Sequence, residues 1–139
     1  MRLELIDYSG MMPHRAHATD VGADVFSRSE CVIEAGRTAK VPLGFGVKIP
    51  NGFAGFINPR SGLGSRGLNC IAAPIDPGYT GEVHAIVHNS SNEKFVVNKG
   101  TKIGQLVVTP VAFATFIWER DAEREAVRGS NGFNSTGTN

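Results

Sequence analysis

Apolar and polar positions alternate with a period of two in eight short stretches, at residues 2–6, 32–34, 38–41, 44–49, 53–57, 83–87, 95–97 and 103–108. That period sends successive side chains to opposite faces, so each stretch predicts a strand with one face buried. Turn chemistry separates them, as EAGR at 34–37, IPNG at 49–52, DPGYTG at 76–81, NSSNE at 89–93 and NKG at 98–100. Eight or so strands at these intervals predict an all-β closed barrel or jelly roll.

Helix has two places to form. Residues 61–67 can hold one short helix. Residues 116–127 (FIWERDAEREAV) are rich in helix formers, yet seven of residues 119–128 are charged and the apolar spacing is poor, which leaves helix and extended arm both open. The expectation is therefore at most one short helix and an extended C-terminal arm over 128–139.

Length and charge narrow the class. At 139 residues the chain predicts a single domain, 1–139, around one core. A hydrophobic share of 41% with 19% charged residues argues against a disordered, collagenous or coiled-coil chain. A net charge of +1 supplies no global field to hold a nucleic acid or an anionic membrane, so any phosphate is bound locally. The first residues (MRLELIDYSG) include Glu4 and Asp7 and no apolar run of signal-peptide or membrane-span length, so a soluble, cytoplasmic protein is expected. Cys31 and Cys70, without a CxxC pair, read as buried thiols instead of a disulfide or a zinc site.

Five polar clusters carry the candidate chemistry. Residues 18–25 (ATDVGADV) set two aspartates around a glycine before a strand, which alone is an ordinary turn. Residues 58–67 (NPRSGLGSRG) bring two arginines, two serines and three glycines together, so amides, hydroxyls and guanidinium groups can converge on one anion. In residues 73–87 (APIDPGYTGEVHAIV), Asp76 stands at the mouth of a hairpin with Tyr79 three residues on. A carboxylate beside an aromatic suits a base that activates water next to a stacked sugar or nucleobase, and an Asp capping a turn is the plain alternative. Residues 99–110 (KGTKIGQLVVTP) form a strand in which Gln105 is the one uncharged polar residue of the apolar run, by default a buried, satisfied amide. The tail, 128–137 (RGSNGFNSTG), has the composition of a disordered terminus and equally of a phosphate cradle with one aromatic, Phe133, free to stack on a base.

In this order and spacing the five clusters resemble the five motifs of the trimeric dUTPase family, the deoxyuridine triphosphate nucleotidohydrolases, from about Ala18 to Gly137. The resemblance implies a jelly-roll (β-clip) fold and a homotrimer with sites shared between subunits. It implies hydrolysis of dUTP to dUMP and pyrophosphate with Mg²⁺, which limits uracil incorporation into DNA and supplies dUMP for dTMP synthesis. Carried over residue by residue, Asp24 orients Arg60 and helps place a hydrated metal that no side chain binds directly. Arg60, Ser61 and Gly62 meet the phosphate chain. Asp76 activates the attacking water, Tyr79 lies beneath the deoxyribose, and the hairpin backbone reads the uracil edge. Gln105 sits near the α-phosphate and the water. Arg128 reaches the γ-phosphate, Phe133 covers the uracil, and Ser135 and Thr136 bind terminal phosphate oxygens.

Ala73, Pro74, Thr101 and Asn134 depart from the family pattern, the first two beside the base-reading hairpin and Asn134 at a glycine position whose left-handed backbone Asn tolerates. Two other functions compete. The related deoxycytidine triphosphate deaminases share the fold but call for a glutamate base, and Asp76 beside Tyr79 matches the hydrolase. A regulatory protein that uses dUTP as a switch and binds a protein partner is the other, since a tail that orders on ligand serves it as well.

Overall fold

The computed structural model describes residues 1–124, apart from the side chain of Ser61. In chain order the strands are β1 (Leu5–Asp7), β2 (Ala23–Phe26), β3 (Cys31–Ile33), β4 (Thr38–Pro42), β5 (Phe45–Val47) and β6 (Phe53–Asn58). After the short helix α1 (Ser61–Gly64) come β7 (Leu68–Ile71), β8 (Pro74–Ile75), β9 (His84–Asn89), β10 (Phe95–Val97) and β11 (Lys102–Pro110). They form a four-stranded sheet β2-β11-β6-β8, a three-stranded sheet β4-β9-β7 and the pairs β1-β5 and β10-β3. Every strand pairing is antiparallel. The expected all-β jelly roll is thus observed.

The period-two pattern explains how the sheets close on one core. In β9, Ala85, Val87 and Asn89 are buried while His84, Ile86 and His88 face outward. Each strand from β2 to β11 sends at least one side chain into a single apolar cluster, among them Val25, Ile33, Val41, Val87, Val97 and Ile103, all at most 1% exposed. Removing such surfaces from water supplies most of the stabilisation, roughly 1.5–3 kcal/mol for each large aliphatic chain fully buried.

All eight predicted strands are present, with ends displaced by up to three residues. Three further strands were not predicted. β2 lies inside the cluster read as a turn, because its two aspartates hid the ADVF alternation, so Asp24 stands on a strand. β7 (LNCI) sets the apolar Cys70 and Ile71 side by side, which breaks the alternation, while β8 has only two residues and opens on Pro74, tolerated because β8 is the edge of its sheet. Helix occupies α1 and also residues 119–124, one short stretch more than expected. No strand claims 119–124, so the propensity of Glu, Arg and Ala decides there. The expected arm at 128–139 lies outside the described residues. Cys31 and Cys70 are free thiols, half-buried instead of buried, and burial pushes the Cys70 thiol up, so it stays protonated at neutral pH.

One buried polar residue ties the core to its rim. Asn89 is fully buried; its amide donates to the carbonyls of Ile33 at 2.9 Å and Glu93 at 2.8 Å. Its oxygen accepts the Ser91 N–H at 3.0 Å and the Ser91 hydroxyl at 2.7 Å. Asn89→Ala removes this partner from the Ile33 carbonyl and from the Ser91 N–H, while the Glu93 carbonyl keeps the Ser91 hydroxyl at 2.9 Å; each buried group left unpaired costs about 1–3 kcal/mol. Urea unfolding is expected to register a loss of about 2–4 kcal/mol. A loss below about 1 kcal/mol means water replaces the amide.

Candidate active site

Two groups of polar side chains stand out, one on the sheet β2-β11-β6-β8 and one around a cleft beside its edge strand β8. The first gathers at one end. Gln105 of β11 lies opposite Asp24 of β2 on one side and Asn58 of β6 on the other, and residues directly opposite on neighbouring strands share a face. The Gln105 amide donates to the Pro59 carbonyl at 3.4 Å. Gly22 makes room for it, since a Cβ there would collide with the Gln105 side chain. Arg60 follows the end of β6 and donates through Nη1 to the Lys102 carbonyl at 3.4 Å. Ser61 opens α1, and Gly62 is exposed within it.

Asp24 does not meet Arg60. Its ion-pair partner among the described residues is Lys102, with Nζ 3.4 Å from Oδ2. Strict alternation puts Lys102, three residues before Gln105, on the opposite face of β11, which is why the sequence pattern did not single it out. A register shift between Lys102 and Gly104 breaks that alternation, and a bulge of this kind re-aims the flanking side chain. The result is a row of one carboxylate, one amide and two cations.

The second group lines a cleft of about 240 Å³ between β8 and β9. Its floor is apolar, from Ile71, Pro74, Ile75 and Ile86, and its rim carries Asp76, Tyr79, Lys40 and His84. The residues Asp76-Pro77-Gly78-Tyr79 form a type II turn, in which the Tyr79 N–H donates to the Asp76 carbonyl at 3.2 Å and Gly78 has a φ of 87°. Proline presets the first corner, and the left-handed second corner favours glycine. The turn leaves the Asp76 carboxylate exposed and the Tyr79 ring 48% exposed beside the cleft. The Tyr79 hydroxyl donates to the Glu82 carbonyl at 3.1 Å, which fixes the ring against its own loop; β8 and β9 lie in different sheets, so the expected hairpin is a loop that passes from one sheet to the other.

Glu82, which also lines the cleft, is the strongly held charge. Burial by itself pushes its carboxyl up, but the Arg28 hydrogen bond, the Gly44 N–H and the charges of Arg28 and His84 outweigh it and hold the group below the ordinary glutamate range. A carboxylate lowered on folding stabilises the protein above its unfolded pKa, and that contribution is lost as pH falls through the folded value. Wild type and Glu82→Gln are therefore expected to differ in stability at pH 7 and to converge as pH drops below about 4. Denaturation curves with a gap independent of pH would remove the charge from that role.

The two groups are separate in one chain. Ile75 pairs with Gly55, which sets Asp76 beside Ala54, four positions along β6 from Asn58 and roughly 13 Å away at the rise of a strand. Asp24, Arg60 and Gln105 are brought together, as are Asp76 and Tyr79, but the two sets do not meet.

The dUTPase family model matches residues 9–137, and so spans both groups. The chain belongs to the dUTPase family. Membership makes it an enzyme of the dUTP diphosphatase class. The deoxyuridine 5'-triphosphate nucleotidohydrolase of Tropheryma whipplei (strain Twist) is 38% identical, over 99% of this chain and 96% of that protein. That of Cutibacterium acnes is 40% identical, over 91% of this chain and 85% of its own length. Among solved structures, a point mutant of the dUTPase from phage phi11 of Staphylococcus aureus superposes with a TM-score of 0.81 at 25% identity, over 85% of this chain and 96% of that one; that structure describes the coordination of a structural Mg(II) ion. The dUTPase of Staphylococcus bacteriophage 80alpha gives 0.79 at 25% identity, over 84% of this chain and 95% of that one.

Of the dUTPase-family residues expected from the motifs, Arg128, Phe133, Ser135 and Thr136 lie outside the described residues. Among the described residues no group of three or more His, Cys, Asp or Glu could hold a metal ion, and no helix is long and apolar enough to cross a membrane.

Proposed function

We propose that the chain hydrolyses dUTP to dUMP and pyrophosphate by attack of water on the α-phosphorus. The observation that carries this reading is the type II turn, which sets an exposed carboxylate and an aromatic ring side by side at the mouth of an apolar cleft. Asp76 accepts the proton of the attacking water, with which an exposed carboxylate can make direct contact. Tyr79 is the plate beneath the deoxyribose, and its ring leaves no room for a 2′-hydroxyl. The backbone of residues 79–82 reads the uracil edge; cytosine reverses donor and acceptor at position four and so leaves buried groups unpaired.

Arg60, Ser61 and the exposed Gly62 receive the phosphate chain, and Gln105 positions the α-phosphate and the water. Lys102 adds a second cation to this end of the site. From the tail, Arg128 binds the γ-phosphate, Phe133 covers the base, and Ser135 and Thr136 bind terminal oxygens. When bound, Mg²⁺ neutralises phosphate charge and orients the chain for in-line attack. The side chains fit an ion of this kind: Asp24, 21% exposed with Lys102 as its ion-pair partner, is one carboxylate suited to touching a hydrated ion through water.

The separation of the two groups supports a homotrimer in which Asp76 and Tyr79 of one chain face Arg60 and Gln105 of another. So does the run Val111, Phe113, Phe116, Ile117 and Trp118, whose large apolar side chains are 37–89% exposed in a single chain, more than a lone soluble domain ordinarily leaves uncovered. In the cell the reaction keeps uracil out of DNA and supplies dUMP for dTMP synthesis.

The test is release of pyrophosphate from dUTP, with dCTP alongside and ammonia assayed in parallel. Pyrophosphate from dUTP alone supports the hydrolase. Ammonia from dCTP would make the chain a deaminase, and tight dUTP binding without either product would favour a regulatory switch that acts through a protein partner.

A further inference from the structure

From Asp76 to Glu82 the chain runs outside the sheets, and backbone bonds to neighbouring strands resume only at Val83, whose N–H donates to the Phe45 carbonyl at 2.8 Å and whose carbonyl accepts the Leu43 N–H at 3.1 Å, so no strand ladder holds residues 79–82 beside the cleft. Side chains from elsewhere hold it instead. The Tyr8 hydroxyl, one residue past β1, donates to the Thr80 carbonyl at 2.7 Å. Arg28, two residues past β2, donates to the Glu82 carboxylate from Nε at 2.8 Å and from Nη2 at 3.4 Å. The same carboxylate accepts the Gly44 N–H at 2.9 Å. The two anchors are themselves joined, because the Gly44 carbonyl accepts the Tyr8 N–H at 3.0 Å.

We propose that Tyr8, Arg28 and Glu82 are positioning residues that set the preference for uracil over cytosine nucleotides by fixing the backbone of residues 79–82. The inference rests on the reading of that backbone as the part that recognises the base. Amides and carbonyls discriminate between bases only when they cannot turn to suit the wrong one, since cytosine presents a donor where uracil presents an acceptor. A loop free to rotate one peptide satisfies either base. A partly exposed ion pair contributes only modestly to global stability, so the larger consequence of this one lies in where it holds the loop.

The experiment compares Tyr8→Phe, Arg28→Gln and Arg28→Lys with wild type. It measures kcat and KM for dUTP and dCTP, and binding of the non-hydrolysable α,β-imido-dUTP and α,β-imido-dCTP. In Tyr8→Phe and Arg28→Gln the dUTP KM is expected to rise about three- to tenfold while kcat stays within about twofold, with the dUTP:dCTP ratio of kcat/KM falling by a similar factor. Arg28→Lys keeps the charge without the two-pronged donor and is expected to recover part of the ratio. Folded variants that lose thermal stability but keep the wild-type ratio overturn the proposal, since anchors with only a structural role leave base choice unchanged. Should Arg28→Gln fail to fold, Tyr8→Phe, which loses a single oxygen, decides the matter. A wild type that binds but does not cleave dUTP would overturn the hydrolase reading alone, and the ratio of the two imido-nucleotide affinities then judges the anchors. A wild type with no preference between the two bases overturns the anchors themselves.

Discussion

Asp76→Asn is expected to fold as wild type does, to bind dUTP with magnesium, and to lose turnover by about 10² to 10⁴, the range a positioned base contributes. The fold should persist because the turn depends on the Asp76 backbone carbonyl, which accepts the Tyr79 N–H, and on Pro77 and Gly78. Asparagine is equally at home at the first position of such a turn. The amide keeps the shape and the contact with water but does not take up its proton. Single-turnover release of pyrophosphate, read beside nucleotide binding, separates the two effects. Activity above about a tenth of wild type would remove Asp76 from the role of base.

Mixing two inactive proteins should restore activity. Asp76→Asn lacks the base, and Arg60→Ala lacks a phosphate contact whose loss is expected to cost about 10² or more. Each homotrimer is then nearly silent. Unfolded and refolded together in equal amounts, they form mixed rings. If each site takes Asp76 from one subunit and Arg60 from its neighbour, half the subunits carry an intact Asp76 and half the neighbours an intact Arg60. About a quarter of the sites then regain both, because a closed ring draws the two independently. The structural ground is the span of roughly 13 Å between the Asp76 end and the Gln105 end of β6, which no single chain closes. Recovery near a quarter of wild-type activity supports the shared site. No recovery from rings shown to be mixed sinks it, since a self-contained site always carries one lesion.

Much of the fold was legible because strand alternation is a local property. Val83 to Val87, Phe95 to Val97 and Ile103 to Val108 announce buried faces without reference to any partner, and the turn at 76–79 is written in residues that preset their own dihedral angles. β2 was less legible, because Asp20 and Asp24 dominate the composition around it and only Ala23, Val25 and Phe26 mark its apolar positions. β8 consists of two residues, stabilised by pairing with β6 and by the burial of Ile75, too short a stretch to show a period.

The candidate site divides along the same line. Residue types and spacing alone singled out Asp76 beside Tyr79, Gln105 in an apolar run, and arginines among glycines at 58–67. Pairing across the sheet decided the rest. The bulge at Lys102 brings its ammonium to Asp24, and Arg28 reaches Glu82 across 54 residues of chain. Tyr8 meets Thr80 at a separation of 72 residues. Where strands run, where the chain turns and which residues carry chemistry can be read along the chain, since those depend on backbone dihedrals and side-chain type within a few residues. Which charges face one another emerges only on folding, because ion pairs and side-chain anchors depend on strand register, and register is set jointly by distant segments that bury a common core.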